Sequence, residues 1–179
     1  MFYFGFRYGL YALDNNITMN DTPLFSITSP ENQHYRFMQQ AINEAQVAAS
    51  QGEVPVGAVV VWKNRIIARG HNQVELLNDP TAHAEMIALS AALEHLEEKY
   101  LTACTVYVTL EPCPMCAGAF VWSKLGKLVI AAQDEKAGAC GSLFNIGAHK
   151  NLNHQVEMVH GIMESESQAL LRDFFQKRR

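Results

Sequence analysis

Four residues of this chain have the types and spacing to handle a metal ion and a proton together. His83 and Glu85 stand two apart in "HAEMIAL", and Cys113 and Cys116 stand three apart in "EPCPMC". Zinc sites that catalyse take three protein ligands and keep a fourth position for water. His83, Cys113 and Cys116 supply three, which leaves Glu85 for proton transfer. The spacing poses a geometric problem, because residues two apart on a helix diverge by about 200°. Both can serve one centre only if that centre lies off the N-terminal tip of a helix, with His83 in the first turn and Glu85 reaching the same point from a neighbouring direction.

Two helix N-termini converging on that point would supply partial positive charge, which favours Cys113 and Cys116 as thiolates. The C-x-x-C alone also fits a redox pair. It fits half of a structural zinc site as well, closed by Cys104, His71 or Cys140. A structural site has no use for an unligated carboxylate beside the metal, so the conjunction with His-x-Glu favours catalysis. Cys104 and Cys140 otherwise read as small buried core residues.

The elements that must hold these residues follow from periodicity. A helix is predicted after "SITSP", with Met38, Ile42, Ala45 and Ala49 on one face and Gly52 closing it. "VPVGAVVVW" reads as a buried strand, "KNR" as a tight turn and "IIARG" as the hairpin partner. Residues 71–80 read as loop. A second helix is predicted from Thr81 to about Glu98, its core stripe being Met86, Leu89, Leu93 and Leu96, with His95 facing solvent. "TVYVTL" is a strand that turns directly into a short helix at "EPCPMCAGAFVW", since proline is tolerated in a first helical turn. "KLVIAA" and "QVEMVH" are strands on either side of a glycine-rich loop. An amphipathic helix carrying Leu170, Leu171, Phe174 and Phe175 closes the chain. Strands alternating with helices predict one α/β domain with helices on both faces of its sheet.

Composition bounds the partners. The chain has 179 residues, 49% apolar and 18% charged, with a formal net charge of −4. That balance is globular, and it argues against a broad, non-specific grip on nucleic acid. Only Arg7 and Arg36 precede residue 63 among the fourteen Lys and Arg, so any anion-binding surface belongs to the later chain. The cysteine pattern suits reduced thiols and a cytoplasmic setting. The opening "MFYFGFRYGLY" holds six of the seventeen aromatics and lacks the charged start and cleavage site of a signal peptide. Residues 1–31 are expected to be a non-catalytic N-terminal extension, with Met19 as an alternative start, and 32–179 a zinc-dependent deaminase domain.

That last assignment comes from a resemblance. "HAE" followed by "PCPMC" resembles the signature of the cytidine deaminase superfamily, H-x-E with P-C-x-x-C. "GEVPVGAVVV", "DPTAHAEMIAL", "TLEPCPMCAGA", "AGACGSLFN" and the ending "NHQVEMVHGI…ESQALLRDFFQKRR" resemble its bacterial branch that acts on tRNA adenosines, over about residues 33–179. The resemblance implies a three-layer α/β/α fold around a mixed sheet of about five strands. It implies one zinc per subunit on His83, Cys113 and Cys116, with Glu85 carrying protons, and hydrolysis of the wobble adenosine of a tRNA anticodon stem-loop to inosine. It further implies substrate contacts from Asn72, the backbone N–H of Ala84, Asp134, Lys136 and Phe175. Lys177, Arg178 and Arg179 would line the RNA path of a homodimer. Read without it, Asn72 also fits a turn residue bonding its own backbone, Phe174 and Phe175 also fit core, and "QKRR" also fits a solvated terminus. Two other functions stay open on these residues: a deaminase of a free base, nucleoside or nucleotide, and a non-catalytic zinc module.

Overall fold

The computed structural model describes residues 30–178, with side chains from Gln33 onward. The N-terminal extension and Arg179 lie outside the described residues. Ten elements follow in order: α1 (Pro30–Ser50), β1 (Gly57–Trp62), β2 (Arg65–His71), α2 (Val74–Leu77), α3 (Ala84–Leu96), β3 (Cys104–Leu110), α4 (Pro114–Trp122), β4 (Lys127–Ala132), β5 (Glu157–His160) and α5 (Glu164–Gln176). The five strands form one sheet in the order β2-β1-β3-β4-β5. β1 pairs antiparallel with β2 and β3, whereas β3, β4 and β5 run parallel. The sheet is therefore mixed, as expected.

Both faces of the sheet are covered, so its central strands read as continuous apolar runs rather than alternating ones. Val60, Val106, Val108, Leu128 and Ile130 face α3 and α4. Val59, Val61, Tyr107, Val129 and Ala131 face the other way, onto Phe37, Met38 and Ala41 of α1. The three layers are thus α3 and α4, the sheet, and α1 with α5. The β1–β2 turn uses Lys63 and Asn64, both at positive φ (47° and 62°), the geometry that joins two twisted antiparallel strands.

Two close approaches fix the site's scaffold. A Cβ on Gly70 of β2 would run into the Ala84 carbonyl and the Ala88 backbone, so the missing side chain lets the start of α3 lie directly on the sheet. Only residues 111–113 separate β3 from α4, and the chain crosses back to parallel β4, which sets the N-terminus of α4 at the carboxyl end of β3.

Three expectations need correction. Residues 71–80 are not all loop, because Val74–Leu77 form one helical turn ended by Asn78 at φ 50°. Four residues with Leu76 and Leu77 exposed have no buried stripe, so periodicity could not reveal them. The second helix starts at Ala84 rather than Thr81 and ends at Leu96. Thr81 is held outside it by hydrogen bonds from its N–H and hydroxyl to Asp79 Oδ1 (2.8 and 2.7 Å), and Glu97 at φ 53° stops it. Its innermost stripe is Ala84, Ala88, Leu89 and Ala92, with Met86, Leu93 and Leu96 only half-buried, since small residues let the helix sit close on β2. α5 packs shallowly: Ser167 is its one buried residue, Leu170, Leu171 and Phe174 are half-buried, and Phe175 is exposed.

Candidate active site

His83 is the N-cap of α3, in extended conformation (φ −72°, ψ 151°), and Cys113 is the N-cap of α4 (φ −70°, ψ 172°). His83 therefore stands one residue before the helix, not in its first turn. The 100°-per-residue rotation does not apply across a cap, which is how it faces the same region as Glu85 of the first turn. Cys116 lies one turn inside α4 and is fully buried.

The three side chains meet. His83 Nδ1 is 3.7 Å from Cys113 Sγ and 3.6 Å from Cys116 Sγ, and the two sulfurs are 3.8 Å apart. Zinc bonds of about 2.3 Å to sulfur and 2.0 Å to nitrogen, at tetrahedral angles, put two sulfurs about 3.8 Å apart and sulfur about 3.6 Å from nitrogen. The donor set and its spacing fit that ion. Among the described residues these three form the one group able to hold a metal. His71, the alternative fourth ligand of a structural site, instead bonds Glu44 (Nδ1 to Oε2, 3.2 Å) and Gln73. Cys104 and Cys140 are buried core residues.

The electrostatics follow the contacts. Hydrogen bonding from Cys116 and from His83 brings the Cys113 thiol down to about 3 against the opposing effect of burial. The same hydrogen bond to Cys113, and burial, push Cys116 up. The Cys113 contact raises His83. Glu85 is 4% exposed, and burial pushes its carboxyl up, opposed by its own backbone N–H and the nearby His83.

His83 and Cys113 open on a cavity of about 320 Å³ whose walls include Glu53, Asn72, Glu85, Glu111, Asp134 and Arg178. Asn72 and Asp134 are thus brought to the site, and Ala84, as the first helical residue, has an N–H with no intrahelical partner. The Asp134 side chain is turned to its own loop, its Oδ1 accepting from the N–H groups of Lys136 (2.9 Å) and Ala137 (3.2 Å). Lys136 is exposed and does not line the cavity. Neither does Phe175, whose ring stands edge-on to Phe174 at 5.4 Å. Arg178 reaches the cavity rim, with its guanidinium 4.3 Å over the Phe174 ring and bonded to the Gly52 carbonyl.

Two wall residues escaped the sequence reading. Glu53, 1% exposed, accepts from Asn72 Nδ2 (3.0 Å) and the Leu76 N–H (2.8 Å). Glu111, 3% exposed, accepts from the N–H groups of Cys140 (2.9 Å), Ser142 (3.0 Å) and Asp134 (3.1 Å), and from the Ser142 hydroxyl. Burial works against its charge, yet these hydrogen bonds hold its carboxyl below the usual range. The available signal was a carboxylate within two residues of a proline in two otherwise apolar stretches, "GEVPVG" and "TLEPCP".

Known proteins resemble the chain closely. The model of the MafB19-like deaminase family matches residues 32–179. A tRNA-specific adenosine deaminase of Aquifex aeolicus (strain VF5) is 48% identical over 143 residues, 80% of this chain and 94% of that protein. One of Bacillus subtilis (strain 168) is 46% identical, over 80% of this chain and 89% of that protein. Among solved structures, one from a study of A-to-I editing by tRNA:A34 deaminases superposes with a TM-score of 0.73 at 41% identity, covering 76% of this chain and 99% of that one. A guanine deaminase from Nitrosomonas europaea superposes with a TM-score of 0.66 at 28% identity, covering 82% and 84%.

Proposed function

This chain belongs to the MafB19-like deaminase family and to the tRNA-specific adenosine deaminases, and from that premise we propose that it hydrolyses the wobble adenosine of a tRNA anticodon to inosine, releasing ammonia. The observation that carries the reading is the triangle of His83, Cys113 and Cys116, of which His83 and Cys113 line the same cavity as Glu85.

His83 Nδ1 and the two cysteine sulfurs would hold the zinc ion. When bound, zinc acidifies water to a pKa of about 7 and so supplies a hydrolytic nucleophile at neutral pH. Glu85 is placed to take one proton of the attacking water at its carboxylate and pass it to the purine ring nitrogen, then to take that water's second proton and deliver it to the departing ammonia. Burial suits it to that exchange, because it raises the carboxyl from its ordinary range and so makes it the better proton acceptor. The Ala84 N–H, free at the helix start, holds the Watson–Crick edge of the base, and Asn72 holds the nucleoside.

RNA enters over the rim. An anticodon loop is a fitting target, since its bases are cheap to unstack. Asp134 and Lys136 receive flanking nucleotides, and Phe175, Lys177 and Arg178 flank the path along α5. Trp122, Leu143 and Phe144 are exposed apolar residues that support assembly as a homodimer. Among the described residues no helix is long and apolar enough to cross a membrane, and a cytoplasmic setting suits a tRNA substrate.

A deaminase of a free purine is the second reading, favoured by the likeness to the guanine deaminase structure. A paired assay separates the two. Zinc-loaded protein is given a stem-loop with adenosine at the wobble position, or free adenosine, cytidine and guanine. Inosine in the stem-loop alone is the expected result. Turnover of a free base or nucleoside with an untouched stem-loop would keep the hydrolytic chemistry and discard the RNA substrate.

A further inference from the structure

Glu53 touches neither the metal-ligating atoms nor Glu85, yet it is among the most buried carboxylates of the molecule and lines the same cavity. It stands in the turn after α1, its N–H bonded to the Ala48 carbonyl (3.0 Å), and the preceding Gly52 carbonyl is held by Arg178. Both carboxylate oxygens are used. Oε1 takes the Leu76 N–H, and Oε2 takes the Asn72 amide at 3.0 Å.

A carboxylate only accepts hydrogen bonds, so the Asn72 amide must turn its NH2 toward Glu53. The Asn72 backbone is pinned as well, its N–H bonded to the Val56 carbonyl (3.0 Å). Asn72 is 7% exposed and lines the cavity. Among the described residues its Oδ1 accepts no hydrogen bond, and no buried side-chain nitrogen or oxygen there lacks a partner. Oδ1 therefore opens on the cavity.

We propose that Glu53 is a positioning residue that locks the Asn72 amide so that the cavity is offered the acceptor Oδ1, with the amide nitrogen held on the Glu53 side. The inference rests on the reading of this cavity as the nucleoside site, and it adds a polarity to it: the substrate group that meets Asn72 Oδ1 is a hydroxyl or amine that donates. A freely turning Asn would tolerate acceptors and donors alike, and would give up that selection.

A swap of acceptor and donor tests it. In Glu53→Gln the one remaining acceptor oxygen stays with the fixed Leu76 N–H, and the new NH2 faces Asn72. The Asn72 amide then turns, its own NH2 enters the cavity, and KM rises tenfold or more while kcat moves less. Asn72→Asp alone sets two carboxylates against each other and lowers kcat/KM by about a hundredfold or more. In the double variant Glu53→Gln/Asn72→Asp, the amide introduced at position 53 donates to one oxygen of the carboxylate introduced at position 72. The other oxygen of that carboxylate faces the cavity as an acceptor, so kcat/KM recovers at least tenfold over Asn72→Asp. A Glu53 that only anchors Leu76 gives no such recovery. A wild-type KM in Glu53→Gln, or a double variant no better than Asn72→Asp, would overturn the proposal. If Asn72→Asp fails to fold, the double variant is compared with Glu53→Gln, and failure to lower its KM has the same meaning. The cycle is run on whichever substrate the wild type turns over, and repeated as dissociation constants for the wobble-adenosine stem-loop in a Glu85→Gln background. A wild type inactive on that stem-loop but active on a free purine would sink the tRNA reading and leave the cycle readable.

Discussion

Glu85 and Glu111 are carboxylates sunk in the wall of one cavity, 4% and 3% exposed, on the first turn of α3 and at the end of β3. Burial opposes the charge of both, and the outcomes differ. Glu111 collects three backbone N–H groups and a hydroxyl from a loop 23 to 31 residues further along the chain, and its carboxyl is held low. Glu85 has little beyond its own backbone N–H and the metal-side residues, and its carboxyl is pushed up. Depth alone does not make a carboxylate reactive; the supply of donors decides whether it serves as a fixed anchor or an exchangeable proton carrier. The pair divides the work of the cavity, with Glu111 holding the wall in place and Glu85 kept poorly satisfied and available.

The sharpest test of that division is Glu85→Gln. Removing the proposed proton carrier is expected to lower kcat by about 10²–10⁴-fold. The metal should remain, since Glu85 is not within the ligand triangle, and plasma emission on the dialysed protein checks this. Thermal stability should be equal or higher, because the variant relieves a charge that burial disfavours. A clear fall in Tm would make Glu85 a structural residue like Glu111 and break the comparison.

Glu111→Ala should do the reverse in kind. It strands the N–H groups of Asp134, Cys140 and Ser142 and costs about 3 kcal/mol, which lowers Tm by on the order of 10 °C in a domain of this size. Activity below the new Tm should fall by roughly tenfold as the loop that carries Asp134 drifts from the cavity, far less than for Glu85→Gln. Differential scanning fluorimetry beside a deamination assay separates the two signatures. Equal stability in both variants would erase the distinction.

The same contrast explains what could be read in the chain beforehand. His83, Glu85, Cys113 and Cys116 were legible because each pair sits within three residues and the chemistry of a metal restricts the side chains that serve it. The sheet was legible because strands covered on both faces leave unbroken apolar runs such as "GAVVVW" and "KLVIAA". Glu53 and Glu111 were not, because their partners are distant in sequence or are backbone N–H groups that carry no residue signal. The helical turn at Val74–Leu77 was missed for want of length, and α3 was drawn three residues too early because an Asx turn at Asp79 looks like the start of a helix.

The smallest expected effect lies at the rim, where neither kind of burial operates. Phe175 is 51% exposed and touches Phe174 edge-on rather than any wall of the cavity. If it serves RNA, it does so as a stacking surface, and truncating such a surface costs about 1–3 kcal/mol per base when it is fully used. A ring already half in water and free to move at the end of a shallowly packed helix should give the low end of that range. Phe175→Ala is therefore expected to raise KM for the stem-loop about fivefold, with stability within about 0.5 kcal/mol of wild type. Steady-state kinetics at two salt concentrations check it, because stacking is insensitive to salt whereas contacts from Lys177 or Arg178 to phosphate weaken as salt rises. A KM unchanged at both would leave the RNA path to the basic residues alone. A loss of stability near that of Glu111→Ala would instead place Phe175 in the core, on the buried side of a helix the structure draws as exposed.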